Sequence, residues 1–391
     1  MTYTIPFSGR AHTYTPDEIA VTLDAINSAV PLTQGSYQDE FQKRFGEYVG
    51  VAYSFAVNNA TAALEMAAQL CQFNHGDEVV IPGHTFTSSA YPFLKKGAKI
   101  VWADIDLQSR VVTAASIMRC VSPRTKAIVV VHLYGYAADM PEIMEMATAR
   151  GITVIEDTAQ ALGTRINGRC AGTFGDFGIY SFHSHKNVTT LGEGGMLTVK
   201  DPKIAKIIPL LRHNGHCAFE FDRPHYWIPA MGNVDMPELN GKPLWPNNYC
   251  LGEVECALGA KLIGRLDQMN LEKRTRAIRF IDALQDYPEL EFHSVDSERH
   301  NYHLLVARVT NGRRDLIIEK LAQQEGIQCV VQYCPLYRYD LYKKAGQGFA
   351  DCPNTDLFFD NMISFPFQHM MSDNDFETMI TATRRVVDAV R

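Results

Sequence analysis

Four short runs of apolar, largely β-branched residues set the architecture. They are Glu78-Val79-Val80-Ile81-Pro82, Lys99-Ile100-Val101-Trp102-Ala103, Ala127-Ile128-Val129-Val130-Val131 and Ile152-Thr153-Val154-Ile155. Runs of this length suit strands better than helices, and near-continuous Val/Ile content marks strands covered on both faces. Pro141–Arg150, between the last two runs, is rich in Met, Ala and Glu and reads as a helix. Ala56–Ala68 reads as a loop running into a helix, and Phe177–Phe182 and Met196–Val199 as two more strands. The alternation predicts an α/β fold with a mainly parallel sheet and helices on both faces. Sheets of this kind bind ligands beyond the carboxyl ends of their strands.

Composition narrows the function. A length of 391 residues suits two domains, or one large domain with a smaller appendage. With 46% hydrophobic and 21% charged residues the chain reads as an ordinary globular enzyme. Its net charge of -7 and lack of a Lys/Arg block give no footprint for nucleic acid. No apolar run approaches the roughly 20 residues that cross a bilayer. The first seven residues have no basic and apolar leader pattern. Nine scattered cysteines without a C-x-x-C pair fit reduced thiols and a cytoplasmic setting better than disulfides or a zinc site. No metal is expected.

The chemistry centres on Lys186, in Ser181-Phe182-His183-Ser184-His185-Lys186-Asn187, followed by Gly192-Glu193-Gly194-Gly195. Upstream, Glu156-Asp157-Thr158-Ala159-Gln160 follows a predicted strand. An imine-forming lysine and a strand-end carboxylate are what pyridoxal 5'-phosphate (PLP) requires, the carboxylate keeping the pyridine nitrogen protonated. Lys186 is therefore expected to be the catalytic amine and Asp157 the pyridine partner. Gln160 either faces the cofactor's ring oxygen or is a solvated helix residue. Asn59-Ala60-Thr61-Ala62 reads as a helix start whose Ala60 and Thr61 cradle a phosphate, with Ser181 a second phosphate donor. Phe86, after the strand ending at Pro82, either stacks on the pyridine ring or sits in the core. His183 and His185 flank the lysine; their spacing alone is no zinc signature, and packing or substrate contact is the expected role.

Taken together, the segments resemble the DegT/DnrJ/EryC1/StrS sugar aminotransferases, a family of fold-type I PLP enzymes in the aspartate aminotransferase superfamily. Further matches are His132-Leu133-Tyr134-Gly135, Asn248-Tyr249…Glu253 and Gly326-Ile327…Tyr333-Cys334-Pro335-Leu336. The resemblance implies a large cofactor domain over 1–250, with a mostly parallel seven-stranded sheet between helices. A linker helix and a smaller C-terminal α/β domain would follow over 251–391. It also implies a homodimer with shared active sites, in which Asn248 reaches the phosphate of the partner's cofactor. The implied reaction moves an amino group from glutamate or glutamine to a keto-sugar, usually nucleotide-linked, with pyridoxamine 5'-phosphate (PMP) as the intermediate cofactor form. Such amino sugars serve cell-surface polysaccharides, such as lipopolysaccharide O-antigen, or secondary metabolites.

Departures from the family pattern cluster where substrate would sit. Ser184 replaces a proline, Cys250 an arginine, and Gln332 and Tyr337 stand where histidines are usual; the segment from Phe219 to Pro246 is also long. Tyr333, Tyr337 and Arg338, with Tyr339, Tyr342, Lys343 and Lys344, interleave rings and cations. Arg223, His225, Tyr226 and Trp227 do the same in the long segment. These residues either hold a nucleobase and diphosphate or form a solvated face. A keto-sugar without a nucleotide, or a cyclitol ketone, stays open. So do two other activities: a PLP/PMP-dependent sugar dehydratase, which would place a histidine where Lys186 stands, and a non-catalytic PLP-binding protein.

Overall fold

A computed structural model describes residues 2–218, 232–293 and 298–391. Arg223, His225, Tyr226 and Trp227 lie outside the described residues. Seven strands make the main sheet: β1 (Ser54–Val57), β2 (Glu78–Pro82), β3 (Lys99–Ala103), β4 (Thr125–Val131), β5 (Thr153–Asp157), β6 (Phe177–Ser181) and β7 (Gly195–Val199). Their order is β1-β7-β6-β5-β4-β2-β3, and β7 alone runs antiparallel to its neighbours. The sheet expected from the Val/Ile runs is present, mostly parallel and seven-stranded.

Two local expectations change. Ala56 and Val57, read as the start of a loop, belong to strand β1. It is a four-residue edge strand paired only with β7, too short to show periodicity. Its backbone is secured from outside the sheet: the Ala56 N–H donates to Gln42 Oε1 at 3.0 Å, and the Ala56 carbonyl accepts from Arg212 Nη1 at 2.8 Å. After β5 the chain turns at once, with the Ala159 N–H donating to Asp157 Oδ1 at 3.1 Å. Gln160 therefore lies on a tight turn and not on a helix.

Helices cover the sheet because their apolar stripes have nowhere else to go. They include α1 (Pro16–Ser28), α2 (Ser36–Val49), α3 (Ala60–Leu70), α4 (Met140–Thr148), α5 (Pro202–Arg212), α6 (Glu253–Ile263) and α7 (Leu266–Ala283). Phe41 and Phe45 of α2 meet Tyr180 and Phe182 of the β6 end, and Cys256, Leu258 and Leu262 of α6 join that cluster. A second core gathers on a three-stranded antiparallel sheet, β8 (Leu290–Phe292), β9 (Leu305–Val309) and β10 (Met362–Phe365), with α8 (Arg314–Gln323) and α9 (Asp373–Asp388). The expected division at residue 250 falls before α6, yet α6 is buried with the main sheet. The change of core comes along α7, where Leu266 belongs to the first and Ala277 and Phe280 to the second.

One buried carboxylate on β5 holds the segment that leads into β6. Glu156 is fully buried and accepts from the N–H groups of Gly172, Phe174 and Gly175 at 2.6–2.8 Å, and from His132 Nε2 at 3.0 Å. His132 Nδ1 accepts from the Ala138 N–H, so its proton resides on Nε2 and points at the carboxylate. Glu156→Ala leaves three amides, two of them buried, without an acceptor and should cost about 3 kcal/mol or more. Glu156→Gln, which keeps a carbonyl oxygen, should cost less. Urea midpoints of the three proteins check this; equal midpoints for the alanine and glutamine variants would contradict it.

Candidate active site

The carboxyl ends of β4, β5 and β6 and the first turn of α3 open onto a cavity of about 810 Å³. Lys186 is half-buried on its wall, in the return between β6 and β7. That return is tied across its neck: the Phe182 N–H donates to the Gly194 carbonyl at 2.8 Å, and the Ser184 N–H to that of Gly192 at 3.0 Å. Burial pulls the Lys186 ammonium down to about 8, while the Asp157 charge opposes the fall. A lysine tuned this way carries far more free amine near neutral pH than a solvated one.

Asp157 is the last residue of β5 rather than the one after it, and it is buried. Its Oδ2 accepts from Ser89 Oγ at 2.7 Å, and Ser89 Oγ lies 2.9 Å from Thr85 Oγ1. A carboxylate fixed by a hydroxyl chain at the cavity floor suits a pyridinium N–H. Ser89 and Thr85 escaped the sequence reading, although Thr-x-x-x-Ser directly after a strand was the signal available.

The expected phosphate end lies at the start of α3. Asn59 caps it, its Oδ1 accepting from the Ala62 N–H at 2.9 Å. The amides of Ala60 and Thr61 have no carbonyl partner within the helix, and both residues line the cavity. Thr61 Oγ1 donates to Ser88 Oγ at 2.9 Å, and Ser181 stands on the same wall. Gly195 makes the approach possible. A Cβ there would lie 2.5 Å from the Asn59 carbonyl carbon and 2.7 Å from the Ala60 nitrogen. Amides at a helix start, two hydroxyls, a tuned amine and a buried carboxylate form a donor set that fits PLP.

Phe86 is half-exposed at the cavity, edge-on to Tyr333 at 5.7 Å. Gln160 sits behind this pair. Its Oε1 accepts from the Tyr134 N–H at 2.7 Å and its Nε2 donates to the Tyr333 hydroxyl at 3.1 Å. It thus braces Tyr333 instead of lining the cavity. Burial pushes the Tyr333 hydroxyl up to about 12. His183 and His185 both line the cavity with their rings edge-on at 5.1 Å, and His183 lies 3.8 Å from Glu193. Burial lowers His185, and the charges of His183 and Lys186 add to the effect.

Two expected substrate residues are corrected. Tyr337 is buried with its hydroxyl on Asp356 at 2.8 Å, and Arg338 pairs with Asp356 at 2.6 Å and Asp360 at 2.8 Å. The helix at Pro353–Asn361 supplies both carboxylates, which draw the pair away from the cavity. Asn248 is exposed and does not line its own chain's cavity. Sequence reasoning also missed Arg10, Glu65, Lys273 and His303 on the wall. Nothing in their local sequence marks them, because the fold brings them in from four separate segments.

Among the described residues no helix is long and apolar enough to cross a membrane. The sequence matches the DegT/DnrJ/EryC1/StrS aminotransferase family over residues 14–384. It is 32% identical to a spore coat polysaccharide biosynthesis protein of Bacillus subtilis, over 98% of this chain and 96% of the relative. It is 33% identical to the GDP-perosamine synthase of Caulobacter vibrioides, over 76% and 77%. A Streptococcus pneumoniae structure in the PMP form superposes with a TM-score of 0.87 at 26% identity, covering 99% of this chain and 100% of that one. The same protein has been solved in the PLP form. The chain belongs to the DegT/DnrJ/EryC1/StrS aminotransferase family and is a PLP-dependent aminotransferase.

Proposed function

We propose that the enzyme transfers the amino group of glutamate or glutamine to a keto-sugar, nucleotide-linked as the likeness to GDP-perosamine synthase suggests. The product would be an amino sugar for cell-surface polysaccharide or a secondary metabolite. The observation that carries the reading is Lys186, with its lowered proton affinity, sharing one cavity with buried Asp157. When bound, PLP supplies an electron sink for the carbon that bears the nitrogen. Asp157 would hold the proton at the pyridine nitrogen, with Ser89 keeping its carboxylate in place. Ala60, Thr61 and Ser181 would hold the phosphate, and Phe86 would cover one ring face. Lys186 Nζ would take the α-proton of the amino donor and, in the second half-reaction, move a proton at the sugar carbon that receives nitrogen.

A keto-sugar without a nucleotide is the second reading. It is favoured by Tyr337 and Arg338, which are engaged by Asp356 and Asp360, so that of the ring-and-cation tract after residue 332 only Tyr333 lines the cavity and no cation does.

Shared sites in a homodimer are part of the proposal. Ile19, Leu23 and Ile26 are exposed along one face of α1, with Val30 and Leu32 after it, an apolar surface of the kind that partners cover. Asn248, exposed and away from its own cavity, is free to serve the neighbouring one.

Lys186→Ala should remove the lysine-dependent visible band of the PLP-loaded protein and slow the donor half-reaction by about a thousandfold or more. Capture of PLP by the wild-type apoprotein should speed up with pH and level off near 8; a rise continuing toward 10.5, as for a solvated lysine, would contradict the tuned amine. Mixing Lys186→Ala and Asn248→Ala proteins should restore about a quarter of wild-type activity, since random pairing leaves one intact site in each hybrid dimer. No recovery on verified subunit exchange would rule out shared sites.

A further inference from the structure

The cavity contains a second lysine, this one buried, that the cofactor chemistry does not use. Lys273 lies on α7, is buried and reaches the cavity wall. Its Nζ donates to the His303 carbonyl at 2.9 Å and to Asn187 Oδ1 at 3.3 Å, and lies 5.2 Å from the centre of the Phe367 ring. Asn187 is the residue after Lys186, and the His303 ring feels both lysine charges. The two amines therefore serve one region of the cavity.

The other cations on the wall have tasks or partners. Lys95 is paired with Glu65 at 2.5 Å. Arg10 is exposed to solvent, bonded through Nε to the His12 carbonyl and lying over the Tyr14 ring. Lys273 has a carbonyl, an amide oxygen and a ring face, all neutral, and no carboxylate among the described residues pairs with it. Such partners solvate an ammonium without neutralising it. Burial alone lowers its proton affinity to about 7. A desolvated cation beside a ligand cavity is stabilised when the ligand brings the opposite charge.

We propose that Lys273 is a carboxylate-binding residue, holding the acid group of a ligand that reacts at Lys186. The proposal rests on the aminotransferase reading, in which the donor is glutamate or glutamine and carries a carboxylate beside the amine. A keto-sugar bearing an acid group would present the same chemistry from the other side of the reaction.

The experiment compares the PLP-loaded wild type, Lys273→Met and Lys273→Arg. Titration with L-glutamate, followed through the cofactor's visible spectrum, gives half-saturation and limiting rate separately. If the donor supplies the carboxylate, Lys273→Met should raise half-saturation about tenfold or more with the limiting rate within about twofold, and Lys273→Arg should recover most of the loss. If the sugar supplies it, the glutamate titration is unchanged, while calorimetry on the PMP form loses D-glucuronate binding in Lys273→Met and keeps it in Lys273→Arg. D-glucose is the neutral control. Either pattern supports the proposal. Identical titrations of both acids in wild type and Lys273→Met overturn it, as does a loss that Lys273→Arg does not recover. Should wild type never reach the PMP spectrum with any amino acid, the aminotransferase reading fails on its own. Glutarate calorimetry on the PLP-loaded proteins then decides Lys273: weaker binding to Lys273→Met supports it, and equal binding overturns it.

Discussion

The closeness of α3 to the start of β7 is the constraint on which the site depends. Only a residue without a side chain can stand at Gly195, because any Cβ would meet the Asn59–Ala60 peptide. That contact aims the first turn of α3, with its unpaired amides, at the same space that the β6–β7 return reaches from the other side. Gly194 has a positive φ and no room for a side chain beside Thr190 and Phe182. It closes the neck of the return and fixes Lys186 over the end of β5. The α3 amides, the amine and the carboxylate are thus placed by one junction in the sheet.

Electrostatics then divides the work among buried groups. Glu156 and Asp157 are consecutive on β5 and project to opposite faces of the sheet. Glu156 is consumed by four donors and serves the fold. Asp157, with Ser89 on one oxygen and a single backbone amide on the other, keeps capacity for a ligand proton. Two adjacent carboxylates acquire different roles from what surrounds them. The two lysines differ likewise: Lys186 has Asp157 acting on it and Lys273 has only neutral partners.

Much of this was legible before any coordinates. The Val/Ile runs of β2, β4 and β5 announce strands buried on both faces, and Lys186, Asp157 and Thr61 lie on motifs whose chemistry is local. What stayed hidden has a common cause. The edge strand β1 is too short for a periodic signal and is stabilised by Gln42 and Arg212 from distant helices. Tyr337 and Arg338 look like ligand contacts until the carboxylates of Asp356 and Asp360 come beside them. Gln160, read from sequence as either a ring-oxygen contact or a solvated helix residue, is bonded to the Tyr134 amide and the Tyr333 hydroxyl across the fold. Lys273 and His303 belong to segments that carry no recognisable motif and meet only in the folded chain. Sequence reveals groups whose role is set by neighbours in the chain, and it conceals those whose role is set by neighbours in space.

The central claim is that nitrogen moves from an amino acid to a sugar carbon in this cavity. Isotope tracing tests it most directly. Purified enzyme is given ¹⁵N-amino-labelled glutamate or glutamine with a panel of nucleotide-linked and free keto-sugars, and the sugar product is weighed by mass spectrometry. The account predicts an amino sugar carrying the label in wild type and none with Lys186→Ala. A deoxygenated sugar without nitrogen would contradict it.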